Sequence, residues 1–437
     1  MKVMVIGSGG REHALVWKLS QSPKIDKIYC VPGNAGIAEL AECVDIDIQD
    51  FHALLNLMRY EWIELTIVGP EMPLVKGIVD VFEKEGLSIF GPNAKAAQLE
   101  GSKVFAKDFM KRNGIPTAQY KVFSSYNQAQ EHVRLKGAPL VIKADGLAAG
   151  KGVFVCHTND EAIETLNGIM KDKIFGKAGD RVVIEECLVG QEASFMVITD
   201  GKTIIPLASS QDHKQVFDGD RGPNTGGMGA YSPAPIVTEY LKKEIMKSIV
   251  TPTIKGLKRE GITYKGVLYV GLMISGNKPY VLEYNCRFGD PEAQVILSRL
   301  KTDLLEIAKT CTEERLNELI TVSWIDGASV CVILAAEGYP GSYKKGEIIK
   351  GLEYLREKDN IVVFHSGTSI YDEAVVTSGG RVLGITGIGN DIKDAIDKTY
   401  NAANQISWNG MHYRKDIGFK ALNQNTNIEL SPDKEGK

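Results

Sequence analysis

The chain has 437 residues, enough for roughly three domains of about 150 residues with sizeable cores. Its 51 Lys and Arg against 55 Asp and Glu give a formal charge of −4, so neither a basic nucleic-acid surface nor an acidic tail is announced. With 43% hydrophobic residues it is neither disordered nor fibrous, and its longest clean apolar run, from Val330 to Ala336, is far short of the ~20 residues a membrane span needs.

From the N-terminus, MKVMVIG enters a strand directly, without a basic n-region or a small-residue cleavage site. The apolar runs 3–6, 27–31, 65–68 and 87–90 read as buried parallel strands. Each ends in glycine or proline punctuation, and helical patterns follow over 12–20 and 74–85. Strand, glycine, helix, repeated, predicts an open α/β sheet whose ligand crevice lies at the carboxyl ends of its strands. Ser102 reads as the N-cap of a helix that Asn113-Gly114-Ile115-Pro116 stops, so a first domain is set at 1–102. A second spans 103–327: strands dominate 118–210, broken by helices near 126–135 and 160–171, and a lid subdomain is set at about 118–190. Residues 211–235, rich in Gly and Pro, read as a long loop of the kind that is usually functional or disordered. Helices near 238–259 lead to a hairpin over 266–274 and 280–285. A third domain, 328–425, begins as short strands with Gly-rich turns and carries a helix near 391–406. The polar tail 426–437 is expected to be disordered. The seven cysteines are dispersed and form no CxxC pair, which points to reduced thiols.

Four segments carry candidate chemistry. Gly7-Ser8-Gly9-Gly10-Arg11-Glu12-His13 follows a strand and opens a helix, where backbone N–H groups and the helix dipole favour an anion such as phosphate. It differs in spacing from GxGxxG, and no acid ends the second strand at Val31-Pro32-Gly33-Asn34, so NAD is disfavoured. His13 reads as a structural partner rather than a catalyst. The second segment runs from Leu140 to Val155 and contains Lys143, Gly146, Gly150, Lys151 and Gly152. It fails the P-loop pattern, and it reads as a small-residue turn between two strands that lies along a polyphosphate while lysines balance its charge. In the third, Glu283, Asn285 and Arg287 fall on one face if the strand persists. Such a set is costly on an apolar strand unless something binds there, and oxygen ligands at i and i+2 suit Mg²⁺. In the fourth, Glu185 and Glu186 end a strand and Glu192 follows a turn, positions that suit a nucleotide's amine and ribose hydroxyls.

Together VIGSGGREHAL, VPGNAG, VGPEMPLVKGIVD, VIKADGLAAGKGV, DGDRGPNTGGMGAYSP and LEYNCRFGDPE resemble the glycinamide ribonucleotide synthetase (phosphoribosylamine–glycine ligase) family of ATP-grasp enzymes, over residues 1 to about 422. The resemblance implies an α/β and α+β multidomain protein: a pre-ATP-grasp domain, an ATP-grasp body with a mobile lid, and a small β-rich C-terminal domain. It implies ATP-dependent joining of glycine to 5-phosphoribosylamine through a glycyl phosphate, in the cytoplasm, by a monomer or weak homodimer without nucleic-acid or membrane partners. It implies Glu283 and Asn285 as ligands of Mg²⁺ (or Mn²⁺). Lys103, Lys143 and the turn with Gly146, Gly150, Lys151 and Gly152 would meet the ATP phosphates. Glu185, Glu186 and Leu188 would line the adenine and Glu192 the ribose. Gly9, Gly10, Arg11, Glu71 and Asp290 would take the ribonucleotide substrate. Arg287, Asp212, Gly226 and Gly227 would surround glycine and the transferred phosphoryl group.

Many ATP-grasp enzymes carry a further metal-binding acid on the incoming strand of the hairpin. Tyr269-Val270-Gly271 offers none here, so either one metal site is expected rather than two, or a further ligand comes from elsewhere in the chain. The chain stops soon after its third domain and is expected to be monofunctional. A closing lid, 144–152 together with 218–230, is expected to shield the intermediate from water. The competing readings are an ATP-grasp ligase using formate or bicarbonate, a nucleotide-binding module without turnover, and, more distantly, a dehydrogenase.

Overall fold

The computed structural model describes residues 1–148, 151–319, 321–356 and 358–422. Gly150 and the expected tail 426–437 therefore lie outside the described residues.

Five parallel strands open the chain, in the spatial order Glu42–Cys43, Lys27–Pro32, Lys2–Gly7, Leu65–Val68, Ile89–Phe90. The strand order reverses across Lys2–Gly7, which places its carboxyl end and the helix Gly10–Leu19 at the crevice of an open α/β sheet. The edge Glu42–Cys43 is absent from the sequence prediction because two residues show no periodicity. The single helix predicted over 74–85 is two, Glu71–Val75 and Ile78–Lys84, parted where Gly77 takes a left-handed φ of 88°.

Ser102 caps the helix Lys103–Arg112 by accepting from the Phe105 N–H, as expected. Beyond it stands an antiparallel sheet ordered Tyr120–Phe123, Val182–Glu186, Leu140–Ala144, Val153–Cys156. Ala129 and Val133 of Tyr126–Lys136 and Ala162 and Leu166 of Asn159–Leu166 pack on its apolar face, giving this unit a core of its own. A second antiparallel sheet, ordered Ile204–Pro206, Gln191–Thr199, Gly266–Ser275, Lys278–Asn285, carries the expected hairpin. Its core is shared: Val270 and Tyr284 cluster with Met4, Ile6 and Phe109.

Residues 211–235 depart from expectation. They contain four short strands, Gln211–Asp212, Gln215–Phe217, Arg221–Asn224 and Gly229–Ser232. The first and last join Ala328–Ala335, Arg381–Gly389 and Ile361–His365 in one five-stranded sheet, with Ala230 opposite Cys331. Their partner lies about a hundred residues onward, so a local reading of glycine and proline registers only the breaks. All seven cysteines are free. Among the described residues no helix is long and apolar enough to cross a membrane.

Candidate active site

A cavity of about 470 Å³ opens where the first sheet, the two antiparallel sheets and the C-terminal strands converge. Strand alternation brings Glu283 and Asn285 to its wall, while Cys286 turns into the core, where its N–H and thiol donate to Glu100 Oε2. The strand ends at Asn285, one step short of the run that would have carried Arg287 on the same face. Arg287 reaches the cavity from the following bend instead. It donates to Glu71 Oε2 at 3.2 Å and Glu100 Oε1 at 2.7 Å, tying the first domain to the hairpin. Burial raises the Glu71 carboxyl, but Arg287 and Arg11 outweigh it and hold the group at about 2. Glu100 rises, because there burial outweighs Arg287.

Glu283 is half-buried by surface yet faces a cluster of cations. Burial would raise its carboxyl, and Lys214, Lys143 and Lys103 overcome that and keep it ionised. The Asn285 amide has no hydrogen-bond partner among the described residues. An ionised carboxylate and an unengaged amide two residues apart fit a hard divalent cation that takes its remaining oxygens from phosphate and water. No group of three His, Cys, Asp or Glu with metal-binding geometry exists among the described residues. Opposite them in the ladder stand Tyr269, beside Asn285, and Gly271, beside Glu283.

The cations come from three elements. Lys103, at the start of its helix, donates to the Gly146 carbonyl at 3.0 Å, and burial lowers its ammonium. Lys143, on the strand Leu140–Ala144, donates to the Leu282 carbonyl at 2.9 Å and pairs with Glu185 Oε2 at 3.0 Å. Lys214 pairs with Glu192 at 2.8 Å and lies 3.9 Å from Glu283. Burial opposes its charge, but Glu192, Asp212 and Glu283 drive it well above the ordinary lysine value. Asp212 moves the other way: burial lifts it to about 8, against Lys214, with Glu292, Glu192 and Glu283 adding to the rise.

Of the remaining expected residues, Arg11, Gly152, Glu186, Leu188, Gly226 and Asp290 also line the cavity. Gly9, Gly10, Gly146, Lys151 and Gly227 are not on its wall. Gly9 and Gly10 sit behind Asp290, whose Oδ2 accepts from the Arg11 N–H at 3.4 Å. Gly9 N donates to Glu12 Oε2 at 2.7 Å, and a Cβ on Gly69 would stand 2.1 Å from Glu12 Oε1, so Gly69 leaves room for this carboxylate. The Lys151 ammonium donates to the Pro340 carbonyl at 2.8 Å. Glu186 Oε1 accepts from the Gln119 N–H. His13 is structural, as expected: its Nδ1 accepts from the His365 N–H at 2.8 Å, and burial, then His365, lowers it to about 3.

Among the charged residues of this wall that sequence reasoning missed are Lys214, Lys107, Glu100 and Arg381. Lys214 follows Asp212 at i+2 in an extended stretch, and Lys107 follows Lys103 at i+4 on a helix, so both shared a face with a residue already singled out. Glu100 and Arg381 gave no local signal. Arg381, from the C-terminal sheet, pairs with Asp290 at 3.2 Å and donates to the Gly226 carbonyl at 2.7 Å.

Comparison with known proteins matches residues 1–100, 101–293 and 329–420 to the N domain, the ATP-grasp (A) domain and the C domain of phosphoribosylglycinamide synthetase. The phosphoribosylamine–glycine ligase of Vibrio cholerae is 53% identical over 425 residues, 97% of this chain and 99% of that protein. That of Escherichia coli K12 is 52% identical over 432 residues, 98% and 100% of the two chains. The crystal structure of the Thermotoga maritima phosphoribosylamine–glycine ligase superposes with a TM-score of 0.83 at 34% identity, covering 95% of this chain and 100% of that one.

Proposed function

The chain belongs to the phosphoribosylglycinamide synthetase family, and from that premise we propose the following reading of its site. It is an ATP-dependent ligase that joins glycine to 5-phosphoribosylamine, giving glycinamide ribonucleotide, ADP and phosphate in purine biosynthesis. The observation that carries the site assignment is the placement of Glu283 and Asn285 on the cavity wall facing Lys103, Lys143 and Lys214. We place the enzyme in the cytoplasm, as a monomer or weak homodimer.

A carboxylate is a poor acyl donor, so the γ-phosphoryl group of ATP is first transferred to glycine, and the amine of phosphoribosylamine then displaces phosphate from the glycyl phosphate. Lys103 and Lys143 neutralise the phosphate charge. Glu283 and Asn285 would hold Mg²⁺, or Mn²⁺ by the same ligand chemistry, which when bound supplies Lewis-acid stabilisation of phosphoryl charge. Glu185, Glu186 and Leu188 would line the adenine and Glu192 the ribose. Arg11, Glu71 and Asp290, backed by Gly9 and Gly10, would take the phosphoribosyl end at the crevice, and Gly226 and Arg287, with Gly227 behind them, would border the glycine. Asp212 would border the glycine and the transferred phosphoryl group; lifted to about 8 by burial, its carboxyl is mostly protonated at neutral pH and can donate a hydrogen bond there.

ADP release measured with phosphoribosylamine and with glycine, formate or bicarbonate as the only varied acid tests the reaction; turnover with glycine alone is expected. Glu283→Gln should keep the fold and lose about two orders of magnitude in turnover, roughly 3 kcal/mol. Near-wild-type turnover of that variant at limiting Mg²⁺ rejects the metal assignment.

A further inference from the structure

Lys107 has no part in the reaction described above. Its Nζ stands 3.0 Å from Glu185 Oε2 and donates to Thr117 Oγ1 at 2.6 Å, and the residue is 1% exposed. The Lys143 ammonium stands 3.0 Å from the same Oε2. Two ammonium groups thus converge on one carboxylate oxygen, while Glu185 Oε1 is buried with no partner among the described residues. All three residues belong to the cavity wall.

A buried carboxylate oxygen left bare is costly, and an N–H of a ligand is what satisfies it. The phosphate chain offers only acceptors. A ligand ammonium meets repulsion, because the trio already carries a net charge of +1. A neutral exocyclic amine on a purine meets neither objection. We propose that Lys107 is a positioning residue: with Lys143 it pins Glu185 Oε2, reserves Oε1 as an acceptor, and so sets the preference for 6-amino over 6-oxo purine nucleoside triphosphates. This rests on the reading that ATP occupies the cavity. Burial and Lys143 lower the Lys107 ammonium to about 8, so it remains mostly charged at neutral pH and able to pin the carboxylate.

ATP and inosine 5′-triphosphate differ in hydrogen bonding only at position 6 and its neighbouring ring nitrogen, so they are the probes. Wild-type kcat/KM should favour ATP by at least about tenfold, since a site built for an N–H rejects the analogue that lacks it. Lys107→Met should shrink that ratio several-fold through the nucleotide KM, leaving the glycine KM unchanged. Glu185→Gln gives a sharper outcome. The two ammonium groups demand an oxygen, so the amide NH₂ takes the place of Oε1 and the preference should shift toward the 6-oxo base. Equilibrium binding of both nucleotides without the other substrates provides the second readout, valid even if turnover with glycine fails and the proposed reaction falls. An unchanged binding preference in folded Lys107→Met and Glu185→Gln, or equal loss for both nucleotides, overturns the proposal, as does a wild type that binds them equally.

Discussion

Two glycine-rich stretches border the cavity, and they are held in opposite ways. Residues 144–148 and 151–152 flank the connection between two adjacent strands of a sheet with its own core. Asp145 at the start of this stretch is anchored: Ser102 donates to its Oδ1 at 2.8 Å and the Val104 N–H at 3.2 Å, Arg181 pairs with its Oδ2, and its own N–H donates to the Arg181 carbonyl. Beyond it the side-chain ties among the described residues are those of Lys103 to the Gly146 carbonyl and Lys151 to the Pro340 carbonyl. Residues 211–230 are stitched to the C-terminal part of the chain. Gly219 N donates to Asp416 and Lys415 N to Asp218, Lys420 pairs with Asp220, and the fully buried Arg414 lies between Asp220 and Asp416. Glycine content therefore does not distinguish a closing flap from a fixed wall; long-range polar partners do. We accordingly propose that lid closure belongs to the flank of 144–148 and 151–152 rather than to 218–230.

The largest expected effect tests the fixed wall. Arg414→Met removes a buried guanidinium from two carboxylates, and about 3 kcal/mol of stability should be lost, the low end for such a pair because both acids keep some solvent. Thermal unfolding measures it, and hydrogen exchange should rise within 211–230. A loss below about 0.5 kcal/mol would erase the contrast between the two stretches.

Acid is the next lever. His213 is 1% exposed beneath the wall, neither ring nitrogen has a partner among the described residues, and burial, with Lys420 and Arg414, lowers it to about 3. In the unfolded chain it titrates near 6.5, so the unfolded state binds the proton first. Its contribution is intact above pH 6.5 and declines by about 1.4 kcal/mol per pH unit as pH falls from there toward 3. His213→Leu should flatten that limb of the stability curve at little cost at neutral pH, because it deletes two unpaired polar atoms. An unaltered acid limb refutes this role.

The smallest global effect belongs to the flap. Gly146 has a φ of 134°, and an added Cβ would lie 3.0 Å from that of Ala178. Gly146→Ala should cost about 1 kcal/mol locally, raising the nucleotide KM while barely moving the melting temperature. An equal shift in both would mean that this stretch is as structural as the other.

Much of the site was readable where chemistry and periodicity coincide. Glu283 and Asn285 were visible because a strand's period of two sorts residues to one face without knowledge of any partner. The first sheet was visible because each apolar run ends in its own glycine turn. Lys107 and Lys214 were within reach of the same logic. By contrast, Arg381 and Glu100 come from parts of the chain remote from the residues they hold, and no local pattern marks them.

The sequence by itself determined which short segments carry phosphate-facing glycines, lysines and metal-competent oxygens, since backbone geometry and side-chain chemistry are local properties. Only the tertiary structure decided that the 211–235 stretch is sheet rather than loop, that Arg287 is clamped between Glu71 and Glu100, and that two lysines share one oxygen of Glu185. Those outcomes depend on distances between residues far apart in the chain, and such distances are fixed by packing and by the cost of burying unpaired charge.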